Sequence, residues 1–221
     1  MKNAVYIHNP RTAGRYTMAR LGLEQLIYPR RVKKFQQSGA VTFGHQDYAR
    51  LVKKGRIDKD FDKTAFKFVF CRNPFDRLLS HFLHVKRKHA SVFDGGVDHV
   101  KRYGPQGRVV KNLSFKDFVL NFDRYNLPRP GYHPPKRFFR PQCKCVAGVK
   151  LDFVGRFENL EGDIEKVARI LGLELMPAKK IGATIHKPYW EYYTDEMIAA
   201  VQKIYADDFE FFGYDNSLHG G

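Results

Sequence analysis

The chain has 221 residues, 43% of them hydrophobic, and a formal net charge of +16. That length and apolar content suit one globular core and exclude general disorder, and the longest apolar runs fall far short of a membrane span. Residues 1–150 hold 32 Lys/Arg against 10 Asp/Glu, and residues 151–221 hold 7 against 13, so an anionic partner is expected for the N-terminal part.

Met1-Lys2 leads straight into the first strand, Ala4 to His8. No apolar leader precedes it, which predicts a cytoplasmic location without a signal or membrane span. A loop and a helix from about Thr17 to Ile27 follow, then a basic connection over Arg30 to Ala40. Phe43 to Val52 has room for a strand end and a short helix. Phe66 to Cys71, rich in β-formers, is the clearest strand in the chain. It runs into Arg72-Asn73-Pro74, where Asn73 can cap a helix and Pro74 can fill its first turn; Leu78, Leu79 and Phe82 continue it. His89 to Val110 reads as a basic excursion, Ser114 to Phe122 as a short capped helix, and Asp123 to Pro141, with five prolines, as loop. Leu151 to Gly155 is a third strand candidate. Asn159 to Leu171 and Thr194 to Tyr205 are amphipathic helices with apolar stripes at helical spacing. Strands alternating with helices predict an α/β fold, a central parallel sheet flanked by helices in three layers, built as a single domain over residues 1–221.

In such a sheet, ligands lie where strands end and helices begin. Two strand–turn–helix units place cations there. The first, His8-Asn9-Pro10-Arg11-Thr12-Ala13-Gly14-Arg15-Tyr16-Thr17, offers backbone amides, hydroxyls and guanidinium groups suited to a phosphate. It lacks the Gly-Lys-Ser/Thr ending of an ATP-binding loop and the Mg²⁺-ligating hydroxyl that goes with it. The second offers Arg72 at the strand end and Ser80 two helical turns in. Solvated cations at two helix starts would explain either turn taken alone.

Taken in order, the motifs are similar to those of the PAPS-dependent sulfotransferase superfamily, in particular its carbohydrate (heparan and chondroitin) branch. Pro10-Arg11-Thr12-Ala13-Gly14-Arg15 stands where that family has Pro-Lys-Thr-Gly-Gly-Thr. Arg72-Asn73-Pro74-Phe75-Asp76-Arg77-Leu78-Leu79-Ser80 matches its Arg-(Asn/Asp)-Pro-x-x-Arg-x-x-Ser at every defined position. Gly155-Arg156-Phe157-Glu158-Asn159-Leu160 and the closing Tyr205-x-x-Asp208-Phe209 with Phe212-Gly213-Tyr214 continue the resemblance. It implies a P-loop-like fold and PAPS as sulfuryl donor, with no metal. Pro10, Arg11, Thr12, Ala13, Gly14, Arg15 and Thr17 would hold the 5′-phosphosulfate, and Arg72 and Ser80 the 3′-phosphate. Arg11 replaces the family lysine at the leaving group; it keeps the charge but donates a proton less readily.

An acceptor hydroxyl needs a general base. Gly44-His45 resembles the family's catalytic Gly-His element, which makes His45 the candidate; Glu158 is a second one, with a structural pairing to Arg156 as its other explanation. His8 is expected to pack beside the loop. His81 and His84 have the spacing of metal ligands on a helix, but a solvated face explains them as well, and His186 could line the cleft. Cys143 and Cys145 are too close for paired zinc ligands and fit a core better. Residues 101–150 carry 12 Lys/Arg and 2 acids among Tyr103, Tyr125, Tyr132, Phe138 and Phe139. The excursion at about 89–141 is therefore expected to bind the acceptor, a carbohydrate that can itself be anionic. No nucleic-acid partner is expected, although a polyanion- or nucleic-acid-binding protein on the same fold is the first rival and a kinase the second.

Overall fold

The structure, a computed structural model, describes residues 3–25, 39–90, 105–129, 136–177 and 186–218. In chain order its elements begin with β1 (Ala4–Ile7), α1 (Gly14–Arg20), β2 (Glu24–Gln25), β3 (Ala40–Thr42), α2 (Tyr48–Lys53), α3 (Lys59–Thr64), β4 (Phe66–Cys71) and α4 (Pro74–Ala90). There follow α5 (residues 105–111), α6 (Phe115–Leu120), α7 (Phe122–Tyr125), β5 (Pro128–Arg129), β6 (Lys136–Arg137) and α8 (Cys143–Val146). The last are β7 (Phe153–Arg156), α9 (Leu160–Leu171), α10 (Asp195–Ile204) and α11 (Ala206–Phe212), with 3-10 turns at Phe157–Asn159 and Tyr189–Tyr192. The contacts divide the chain into two compact units, Met1–Arg72 with Gln142–Ala183, and Asn73–Pro141 with Thr184–Gly221.

The first unit carries a parallel sheet in the order β2-β3-β1-β4-β7. The α/β fold with a central parallel sheet and flanking helices is thus the one expected. Side chains alternate across the sheet, so one face presents Ala4 and Tyr6 of β1 with Phe68 and Phe70 of β4. These pack on Met18 within α1 and Leu21 just after it, and on Ile164, Val167, Ala168 and Leu171 of α9. Gly155 lets β7 approach: a Cβ there would lie 2.5 Å from the Phe70 ring. The opposite face buries Val5, Ile7, Val69 and Cys71 as well, which explains why β1 and β4 read as continuous apolar runs rather than alternating ones. Strand connections leave β1 toward β2 and β3 but leave β4 toward β7, so the order reverses between β1 and β4. A crevice outside the C-terminal ends of the strands forms at such a point.

Among its described residues, the second unit is mainly helical, with the short pair β5–β6 beside the helices. Phe82 of α4, Phe118 of α6 and Phe139 form its aromatic centre, with ring centroids 5.2 Å and 4.7 Å apart for successive pairs. Arg77 is fully buried there and donates from Nη2 to the Arg140 carbonyl at 3.0 Å, while the Tyr205 hydroxyl donates to the Phe139 carbonyl at 2.7 Å. Burial pushes the Tyr205 phenol well up; the Arg77 charge acts the other way. Among the described residues, no helix is long and apolar enough to cross a membrane.

Several elements depart from their expected bounds. The first helix runs Gly14–Arg20 rather than Thr17 to Ile27, because Gly22 (φ 60) ends it in a left-handed turn with Leu23 N–H donating to Met18 carbonyl at 3.0 Å. The strand near Phe43 ends at Thr42, and the third expected strand is shifted to Phe153–Arg156. Asp123 to Pro141 is not all loop: it holds the end of α7 and the antiparallel pair β5–β6. The helices α3 and α11 were not expected; α3 is too short for a periodic pattern, although Asp58 caps it through Asp60 and Phe61 N–H. Most of the Arg30 to Ala40 connection, much of the His89 to Val110 excursion, and Tyr103 and Tyr132 lie outside the described residues.

Candidate functional site

Three neighbouring strands of the first unit, β3, β1 and β4, end at the same edge of the sheet. β1 is followed by the loop from His8 to Gly14. β3 is followed by Phe43, Gly44 and His45, and β4 by Arg72. The fold therefore brings together loop, histidine and arginine, residues far apart in sequence.

The loop is held by its own polar groups. Asn9 is buried and donates from Nδ2 to the Phe70 carbonyl at 3.3 Å, which ties the turn to β4. The Thr12 hydroxyl donates to the Asn9 carbonyl at 3.1 Å, and that of Thr17 to the Ala13 carbonyl at 3.4 Å. Arg11 (φ 69) and Ala13 (φ 57) both adopt left-handed backbone, which non-glycine residues seldom do. Left-handed residues followed by a helical turn point successive amides toward one concavity, the geometry of an anion nest. Gly14 opens α1 with no room for a side chain: a Cβ would lie 1.9 Å from His8 Nε2. His8 is thus packed beside the loop, as expected. Beneath it, burial pushes the Tyr6 phenol well above its ordinary range, with the Thr12 and Thr17 hydroxyls opposing.

His45 meets the loop from one side. Its Nδ1 lies 2.9 Å from the His8 carbonyl, and its ring centroid is 4.2 Å from the His8 ring. A carbonyl only accepts, so neutral His45 carries its proton on Nδ1 and its lone pair on Nε2. Arg72 meets the loop from the β4 side. Its Nη1 donates to the Arg11 carbonyl at 3.3 Å, and its Cζ sits 3.9 Å above the Phe157 ring. The Arg72 backbone is held too: its N–H donates to Gln142 Oε1 at 3.0 Å and its carbonyl accepts from Gln142 Nε2 at 2.8 Å.

Of the residues expected at the site, Arg11, Thr12, Ala13, Gly14, Thr17, His45 and Arg72 share this edge of the first unit. Pro10 is half-buried at the loop's start, and Arg15 is exposed on α1. Glu158 is exposed on the 3-10 turn after β7. Ser80 is buried on α4 of the second unit, where His81 packs 4.5 Å from the Phe139 ring. His186 of that unit bonds through Nδ1 to the neighbouring Lys187 carbonyl at 2.6 Å. Cys143 and Cys145 are buried thiols in α8, and no cluster of three metal-ligating side chains occurs among the described residues. Sequence reasoning missed Gln142, Phe157 as an aromatic floor, and the His8 carbonyl. Gln142 lies 70 positions from its partner, and no local pattern marks it.

A model of the sulfotransferase family matches residues 25–215, a stretch that includes His45, Arg72 and Ser80 and begins after the loop. An uncharacterized protein of Archaeoglobus fulgidus is 32% identical over 123 residues, covering 54% of this chain and 78% of its own. Mouse carbohydrate sulfotransferase 10 is 25% identical over 170 residues, covering 69% of this chain; the match spans 48% of the mouse protein, about half its length. No solved structure matches the chain.

Proposed function

The chain belongs to the sulfotransferase family and its chemistry is sulfuryl transfer; we propose that its donor is PAPS and its acceptor a hydroxyl of a carbohydrate, with the whole chain serving as one catalytic domain. One observation carries this reading. Three adjacent parallel strands deliver a left-handed phosphate-type loop, a histidine of fixed tautomer and a buried arginine to one edge, with His45 and Arg72 each bonded to the loop's backbone. The likeness to mouse carbohydrate sulfotransferase 10 supports the carbohydrate acceptor.

The residues fit a doubly phosphorylated donor. The nest from Pro10 to Arg15, with Thr17, suits the 5′ side: amides and the Arg11 and Arg15 guanidinium groups are donors where negative charge gathers. Arg72 suits a 3′-phosphate, since a guanidinium at the strand end offers a planar fork of N–H donors that matches phosphate oxygens. Ser80 joins it by the motif alone. The donor supplies a sulfur already bonded to a phosphate leaving group. His45 Nε2 takes the acceptor hydroxyl's proton as the new O–S bond forms. The S–O bond to phosphate breaks, and its electron pair goes to the phosphate oxygen, where the Arg11 charge stabilises it. The basic stretch at about 89–141 supplies cations for an acceptor that is itself anionic.

Labelled sulfuryl transfer from PAPS to a panel of desulfated heparan- and chondroitin-type glycans tests this. His45→Ala should lose roughly 10²–10⁴ in kcat with little change in KM for PAPS, the usual worth of a general base. Arg11→Lys should retain activity and Arg11→Ala lose it. A second reading, a polyanion binder without catalysis, rests on Arg11 standing where the family has lysine. Tight glycan binding with no transfer to any hydroxyl would favour it.

A further inference from the structure

The Arg72 guanidinium meets the Arg11 carbonyl and the Phe157 ring, and its main chain is gripped as well. Gln142 is fully buried, and its amide forms two antiparallel hydrogen bonds with Arg72, accepting from the N–H at 3.0 Å and donating to the carbonyl at 2.8 Å. That pairing imitates the rung of a further strand, supplied by a side chain just beyond the last residue of β4. It fixes the backbone of Arg72 where the sheet's own ladder with β7 has stopped at Cys71. Phe157, directly after β7, meets the other end, its ring centroid 3.9 Å from Arg72 Cζ.

Resting on the proposed function, we propose that Gln142 and Phe157 are positioning residues that set selectivity for the 3′-phosphate. Gln142 holds the root of the Arg72 side chain and Phe157 holds its plane, so the fork is organised before the ligand arrives. Preorganisation matters because a long arginine otherwise loses rotamer freedom on binding, and that loss falls on the 3′-phosphate interaction alone. Arg72 meets the 5′ loop at the Arg11 carbonyl, and neither Gln142 nor Phe157 belongs to that loop.

The probes are 3′-phosphoadenosine 5′-phosphate and 5′-AMP, titrated by calorimetry into the full chain, wild type, Gln142→Met and Phe157→Leu. Methionine keeps the volume of glutamine without its amide; leucine keeps an apolar floor without a π face. The proposal expects the affinity ratio of the two nucleotides to fall about tenfold in Gln142→Met and about threefold in Phe157→Leu, with 5′-AMP affinity unchanged. Gln142→Glu, which keeps the acceptor for Arg72 N–H, should fall between wild type and Gln142→Met. A wild type that discriminates while the folded variants keep the same ratio overturns this proposal and leaves the proposed function standing. Variants that weaken both nucleotides equally also overturn it, because the role is then only structural. A wild type that does not discriminate removes the proposed function itself. If Gln142→Met does not fold, Phe157→Leu, at a half-exposed position, decides the question.

Discussion

Ala13 and Gly14 stand side by side in the loop with opposite requirements. Ala13 has φ 57, a left-handed conformation that costs an L-residue about 1–2 kcal/mol and that glycine adopts with ease, although glycine also loses about 0.5–1 kcal/mol in chain entropy. Gly14 has no such backbone demand, but a Cβ would meet His8, and His8 is wedged between Tyr6, 5.5 Å away, and His45, 4.2 Å away. Ala13→Gly should therefore leave stability unchanged or raise it by up to about 1 kcal/mol, while Gly14→Ala should lower it by about 1–3 kcal/mol. Urea denaturation of the two variants checks both signs. The loop's tight turn was legible from Pro, Gly, Thr and Arg after a strand. Its partners were not, because the carbonyls of His8 and Arg11 act through backbone atoms that every residue possesses.

Between elements, the join of β7 to α9 rests on one carboxylate. Asp163 is buried, accepts from Arg156 N–H at 2.8 Å and from Asn159 Nδ2 at 3.0 Å, and pairs with Lys166 Nζ at 2.9 Å. Asp163→Ala would strand a main-chain donor and an amide, and should cost about 1–3 kcal/mol, read as a lower urea midpoint at unchanged slope. Asp163→Asn, which keeps one acceptor, should cost less. The helix α9 was legible because a twelve-residue apolar stripe has a clear period; its bounds, Leu160–Leu171, are one residue from those expected. β4 was legible for a like reason. β5 and β6 were not, since each is two residues long, contains proline or sits among prolines, and exists only through the other. A pairing of that length leaves no pattern in one strand alone.

At the scale of the molecule, the family landmarks fall into two units. Arg72 closes the first unit at the sheet edge, whereas Arg77, Tyr205, Asp208 and Phe209 are interior residues of the second. Their order along the chain revealed the family; it could not reveal which unit each packs into, because an arginine at a sheet edge and one in a helical interior look alike in sequence. The loop lacks the hydroxyl that would ligate Mg²⁺ after Arg15, so sulfuryl transfer should proceed unchanged in EDTA, measured as initial rate with and without the chelator. On the proposed function, this edge of the sheet reads a 3′-phosphorylated adenine nucleotide. Calorimetric titration of the wild type without magnesium, with 3′-phosphoadenosine 5′-phosphate against ADP and AMP, measures it directly. The expected result is a preference of about ten- to a hundredfold for the 3′-phosphorylated nucleotide, lost in Arg72→Ala. Equal affinity for all three nucleotides, or a preference that survives Arg72→Ala, would contradict it.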